Sequence, residues 1–199
     1  MAQQDAHPDW HNAPVPTFAA DERAVRLLVI GLAPGLKGAN RTGRAFTGDW
    51  AGTLLYETLI AHGFATGPFE ARPDDRLTLV DCAVTNAVRC VPPQNKPVGA
   101  EIATCRDYLT ATIARFPSLT HLLCLGRISH DSTVRTLGAR VAAHPFAHGA
   151  RHKIGTLAVH DSYHCSRYNT NTGVLTTEMF DAVVADIRSG IGPPTPARA

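Results

Sequence analysis

The sequence predicts an α/β protein, a three-layer α/β/α sandwich whose central four-stranded parallel sheet lies between helices. Three observations lead there: four short apolar runs, helix-period stripes between them, and 199 residues of which 44% are hydrophobic. Apolar runs that do not alternate suit strands buried on both faces, as in a parallel sheet. Strands that alternate with helices pack in layers with right-handed crossovers. The length fits one domain, residues 1–199, and the apolar fraction supports a sizeable core.

The elements follow in chain order. Residues 1–20 contain three prolines and little periodicity, and are expected to form an N-terminal arm. The first strand is placed at Arg26–Gly31 (RLLVIG), and a long glycine-rich loop follows it. Ala51, Leu54, Leu55 and Leu59 then make an apolar stripe, which predicts a helix over about 50–62. A second strand is expected at Leu77–Cys82 (LTLVDC). Pro97 stands near a helix start, and Ile102, Cys105, Leu109, Ile113 and Phe116 continue as one face. The third and fourth strands are placed at His121–Gly126 (HLLCLG) and Thr156–Ser162 (TLAVHDS). Met179, Phe180, Val183, Val184 and Ile187 mark a last helix over 177–188. Residues 190–199 (GIGPPTPARA) read as a frayed tail.

The balance of 19 Lys+Arg against 17 Asp+Glu excludes a uniformly basic nucleic-acid coat, but it averages over unlike segments. Arg23–Thr47 holds five basic residues and no acidic one. No run of about 18 apolar residues is present, so no membrane-spanning helix is expected. Met1-Ala2-Gln3-Gln4-Asp5 lacks the basic and apolar regions of a secretory signal, which points to the cytoplasm. Five cysteines in such a chain read as reduced thiols or metal ligands rather than disulfides. Five of the ten histidines (His144, His148, His152, His160 and His164) fall within 144–164.

Open parallel sheets bind ligands beyond the carboxyl ends of their strands. Three distinctive polar segments fall there: GLAPGLKGANRTGRAFTGD (31–49), TNAVRC (85–90) and YHCSRYNTNTG (163–173). The glycines of the first allow close approach of backbone to a ligand, and Lys37, Arg41 and Arg44 could hold a phosphate. Neither G-x-x-x-x-G-K-[ST] nor a clean G-x-G-x-x-G is present, so a nucleoside-triphosphate site is disfavoured. In this order and spacing the three segments resemble the motifs of family 5 uracil-DNA glycosylases, a family close to the iron–sulfur family 4 enzymes. The resemblance runs from about Trp10 to the last helix.

The resemblance implies a monofunctional, monomeric DNA-repair glycosylase. It would release uracil from DNA, with hypoxanthine, xanthine and oxidised uracils as further substrates, and act at the nucleoid. Phe46 would stack under the flipped base, with Gly31 and Ala33 contacting it. Asp49 would position water and steady the oxocarbenium-like transition state, although its place before a helix also suits a plain N-cap. Asn86 presents a donor and an acceptor together and would read the pyrimidine edge. His164 would donate to the base carbonyl O2 as the bond breaks. Arg41, Arg44, Ser166, Arg167 and Asn169 would contact the DNA backbone. Cys165 stands where the family's signature has proline.

The same resemblance assigns Cys90 and Cys105 to a [4Fe–4S] cluster. Four thiolates are normally needed, and no cysteine precedes Cys82, so only half a site is present. An N-terminal truncation or loss of the cluster would each account for this. Cys82 and Cys124 read as core residues. Two other readings stand beside the glycosylase: a non-catalytic binder of damaged or abasic DNA, and a metal-dependent hydrolase built on the histidine cluster.

Overall fold

A computed structural model of the chain describes residues 7–194. Its main sheet has six strands: β1 (Phe18–Ala19), β2 (Leu27–Gly31), β5 (Cys82–Asn86), β6 (His121–Leu125), β7 (Arg151–Ile154) and β8 (Leu157–Ser162), in the order β1-β5-β2-β6-β8-β7. The four central strands are parallel, with Val29 aligned to Val84 on one side and Leu123 on the other. The expected parallel core is therefore present, and antiparallel β1 and β7 extend it at both edges. A separate two-stranded ribbon joins β3 (Ala65–Thr66) to β4 (Thr78–Leu79).

The helices are α1 (Ala39–Thr42), α2 (Trp50–Ala61), α3 (Gly99–Ala114), α4 (Arg127–Thr136), α5 (Arg167–Asn171) and α6 (Thr177–Ile191). Successive strand residues point to opposite faces. Leu27 and Val29 accordingly pack with Leu55 and Leu59 of α2 and Phe180 and Val184 of α6. Leu28 and Ile30 face the other way, against Leu109 of α3. The two apolar clusters make the two interlayer cores of a three-layer sandwich.

Four expectations need correction. The second strand is not Leu77–Cys82: it runs over Cys82–Asn86, and Thr78–Leu79 belongs to the side ribbon. Asp81, at φ +54°, turns the chain between them, and its carbonyl accepts from the N–H groups of Arg26 and Leu27. The supposed arm enters the fold: Val15 is buried, and β1 pairs with β5. α4 and β7 have no counterpart among the predicted elements. α4 is hidden because its buried face is polar (Ser129, His130, Ser132, Thr133). The supposed tail begins inside α6, where Gly190 leaves room for the His121 ring. Residues 1–6 of the arm and 195–199 of the tail lie outside the described residues.

Candidate active site

The carboxyl ends of β2, β5 and β8 bring the three polar segments together. Gly31 ends β2, Asn86 ends β5, and Tyr163–His164 follow β8. Ala33, Pro34, Gly35, Ala39, Phe46, Asp49, Ala51, Asn86 and His164 line one pocket of ≈ 30 Å³. That is room for one or two waters. Asp49, Asn86 and His164 thus meet in one place, and Phe46, Gly31 and Ala33 lie at or beside it.

Glycine makes this convergence sterically feasible. A Cβ on Gly31 would lie 2.4 Å from Asn86 Oδ1 and 2.5 Å from Phe46 Cζ. A Cβ on Gly38 would lie 2.2 Å from Asp49 Oδ2, and one on Gly52 would lie 1.9 Å from the Phe46 carbonyl. The loop's glycines therefore make room for the pocket's own side chains. Gly52 escaped the sequence reading, and what Gly38 must avoid shows only in the folded loop.

Phe46 adopts φ +53°, a left-handed conformation that is strained for an aromatic residue. Its surroundings hold it there. The Tyr56 hydroxyl donates to the Ala45 carbonyl (2.6 Å), and the Thr42 hydroxyl donates to the Thr47 carbonyl (3.0 Å). The arm closes the loop from outside, with Asn12 N–H on the Asn40 carbonyl and Asn40 Nδ2 on Asn12 Oδ1. The Phe46 and His164 rings lie 5.8 Å apart at 26°.

The polar groups of the pocket are only partly satisfied. Asp49 has one carboxylate oxygen, Oδ1, buried without a partner. Burial pushes its pKa up, although the N–H groups of Gly52 and Ala51 pull the other way. Burial alone pushes His164 down to about 4, so its ring is neutral at pH 7. Neither the Asn86 amide nor the His164 ring nitrogens hydrogen-bond within the described residues. A neutral imidazole carries one N–H donor, which an anionic oxygen can accept.

The third segment is braced from behind. Asn169 Nδ2 donates to the His164 carbonyl (2.8 Å), and Ser166 caps α5 through Asn169 N–H. Trp50 Nε1 donates to Thr170 Oγ1 (3.2 Å), tying α5 to α2. Cys165, where a proline was expected, is a fully buried core residue whose thiol burial raises to about 12. Ser166 and Asn169 thus serve the loop's own geometry.

Arg44 is not a surface cation. It is buried and forks onto Asp75 at 2.7 and 2.8 Å, bonds Thr47 Oγ1 through Nε, and lies over the Phe18 ring. The expected DNA contact is therefore corrected to a structural anchor of the loop. Lys37, Arg41 and Arg167 are exposed, as are the aromatic rings of Trp50 and Tyr168.

Of the five clustered histidines only His164 lines the pocket. Cys90 and Cys105 share a different, mainly apolar cavity of ≈ 320 Å³ with Val88, Pro92 and Ala100. Burial and the neighbouring Cys105 raise the Cys90 pKa. Cys82, Cys124 and Cys165 are fully buried elsewhere in the core. The donor set does not fit a four-thiolate cluster, because two of the five thiols meet and the other three are packed apart.

A family model described as the uracil DNA glycosylase superfamily matches residues 19–188. The chain belongs to the uracil-DNA glycosylase superfamily. Within it, the chain is similar to the type-5 uracil-DNA glycosylase of Thermus thermophilus, with 42% identity over 91% of this chain and 81% of that one. The type-5 enzyme of Pyrobaculum aerophilum is 34% identical over 86% and 74% of the two chains. A type-4 uracil-DNA glycosylase of that organism matches less, at 31% over 60% and 53%. The superfamily match spans all three pocket-forming segments.

Proposed function

We propose that the protein is a monofunctional uracil-DNA glycosylase, which hydrolyses the N-glycosidic bond of uracil in DNA and leaves an abasic site. One observation carries this reading: Asp49, Asn86 and His164, brought from three separate loops, line one small pocket together with Phe46. A glycosylase needs that arrangement, since the base must leave the stack, be read at its edge and depart with its charge stabilised.

The extruded uracil lies against Phe46, and Asn86 pairs with its N3–H and a neighbouring carbonyl. As the C1′–N1 bond breaks, its electrons pass to the base. The neutral His164 donates a hydrogen bond to O2, where that charge collects. Asp49 orients a water toward C1′ and accepts its proton as the new C–O bond forms.

Lys37, Arg41 and Arg167 supply the cations for DNA phosphates, and the exposed ring of Tyr168 stands where the vacated stack can be filled. No acidic side chain lies in Gly31–Gly35, which leaves that wall open to hypoxanthine, xanthine or oxidised uracils. On this reading the protein acts as a monomer at the nucleoid, in the cytoplasm. The chemistry above needs no cluster.

The test is base release from a duplex holding one uracil, read by alkaline cleavage of the abasic product. Asn86→Ala and His164→Ala should each lower the single-turnover rate by about 10²–10³-fold while the fold is retained. A wild-type protein that shifts the duplex without producing alkali-labile sites would make it a binder.

A further inference from the structure

The histidine cluster that the pocket leaves unused has its own geometry. His130 of α4, His152 of β7 and Asp161 of β8 converge from three elements, with one ligand atom of each within 4.8 Å of the others. His130 and Asp161 are fully buried, and His152 is nearly so. His130 Nδ1 lies 2.7 Å from Asp161 Oδ1, and His152 Nε2 lies 3.3 Å from Asp161 Oδ2. The other nitrogen of His130, Nε2, lies 2.7 Å from the His144 carbonyl.

Both partners of His130 are acceptors, a carboxylate and a carbonyl. A neutral imidazole has one N–H and can satisfy one of them. With Nε2–H given to the carbonyl, the Nδ1 lone pair faces a carboxylate oxygen, so a positive charge is required between them. A second imidazole aimed at the same carboxylate suits a metal ion better than a single proton. A backbone carbonyl holding the outer N–H is the usual device that fixes a metal-binding histidine.

We propose that His130, His152 and Asp161 bind one divalent transition-metal ion of the zinc class. Nitrogen and carboxylate donors at about 2.0–2.2 Å are what zinc takes, with tetrahedral donors about 3.3 Å apart. The His152 Nε2–Asp161 Oδ2 separation already has that value, and His130 Nδ1, now on the other carboxylate oxygen, draws back to admit the ion. The His144 ring, 5.5 Å from that of His152, is the nearest further imidazole and is available as the fourth ligand.

The role of the ion is structural. None of the three ligands lines the base pocket, and the outer nitrogen of His130 is already engaged. The ion fastens α4, β7 and β8 together, three residues before His164. The segment it secures also carries His148, which stacks on Tyr163 and accepts from its N–H (3.3 Å). The site thus sets the stem from which the third motif extends, and this inference stands whatever base the pocket takes.

The full chain, freed of metal with a chelator and carrying Cys90→Ser and Cys105→Ser, is titrated with Co²⁺ and then Zn²⁺. One equivalent of Co²⁺ should give visible d–d bands that one equivalent of Zn²⁺ removes. At a hundredfold excess over Kd, Zn²⁺ should raise Tm by about 5–10 °C. His152→Ala, the least buried ligand change, should keep the metal-free fold and weaken Zn²⁺ binding by on the order of a hundredfold. An unmoved Tm with no cobalt bands would overturn the site and leave His130 as a buried imidazolium. Equal binding by His152→Ala would also overturn it, by placing the metal elsewhere.

Discussion

Arg44 and Asp49 stand five positions apart in the same glycine-rich loop, yet their situations are opposite. Arg44 is buried with its donors engaged: a bidentate carboxylate, a threonine hydroxyl and an aromatic face. Asp49 is only half-buried, yet it keeps one carboxylate oxygen shielded from water and without a partner. Burying an unpaired polar group costs stability, and pairing it removes the cost. The anchored end of the loop holds its shape, whereas the pocket end leaves groups unsatisfied until a ligand arrives. Charge and glycine content alone do not separate the two ends of this loop.

Breaking the anchored end should have the largest effect on stability. Burial raises the Asp75 pKa, but the Arg44 fork and the N–H groups of Glu70 and Leu77 outweigh it and hold Asp75 at about 2. Arg44→Ala would strand that carboxylate, with an expected loss of about 3–5 kcal/mol in urea unfolding. Arg44→Lys should recover only part of it, since lysine cannot form the fork. A change below about 0.5 kcal/mol would mean that Arg44 does not anchor the loop.

Asp49→Asn tests the other end and should reverse the pattern. Base release should fall by about 10²–10³-fold, while stability holds or rises because a poorly paired buried charge is gone. Since burial raises the Asp49 pKa, the acid limb of the wild-type rate profile should lie above the usual aspartate range. The Asn variant should lack that limb. Full single-turnover activity in the variant would remove Asp49 from the chemistry.

The contrast also explains what could be read from the sequence. Three of the four parallel strands announce themselves as unbroken apolar runs, helices α2, α3 and α6 through apolar periodicity, and the three polar segments through their composition. The second strand was displaced because LTLV is more apolar than CAVTN, although the latter is the buried strand. Its Thr85 and Asn86 are polar because one bonds Thr17 and the other opens into the pocket. α4 was invisible because its inner face holds histidine, serine and threonine. Arg44 was misplaced for a related reason, since a basic loop residue shows its charge in the sequence but not its partner, Asp75, 31 positions away. Pairing is a tertiary property, and a single sequence does not display it.

His164 offers a smaller test on the pocket side. Its pKa of about 4 lies below the ordinary histidine value near 6.5. Between those limits the unfolded chain binds a proton that folded His164 refuses. Stability therefore falls as pH drops from about 6.5 and this contribution levels off below about 4. Between pH 7 and 5 it amounts to about 1–2 kcal/mol, and His164→Gln should remove that part of the slope. Denaturant unfolding of both proteins at the two pH values measures the difference. Identical slopes would mean that the pocket does not desolvate His164.

The smallest effects belong to exposed cations outside the pocket. Arg41 and Arg167 are exposed, in contrast to the buried Arg44. Each phosphate contact releases condensed counterions, so log K falls with log salt in proportion to the number of contacts. Arg41→Ala or Arg167→Ala should reduce that slope by about 1 and weaken binding similarly for uracil-containing and undamaged duplexes. Arg44→Gln, at salt concentrations where it stays folded, should leave the slope unchanged because its guanidinium never reaches the DNA. Titration of a labelled duplex at several salt concentrations separates the two classes of arginine. A reduced slope in the Arg44 variant would show that DNA draws the guanidinium away from Asp75, making the anchor part of the binding surface.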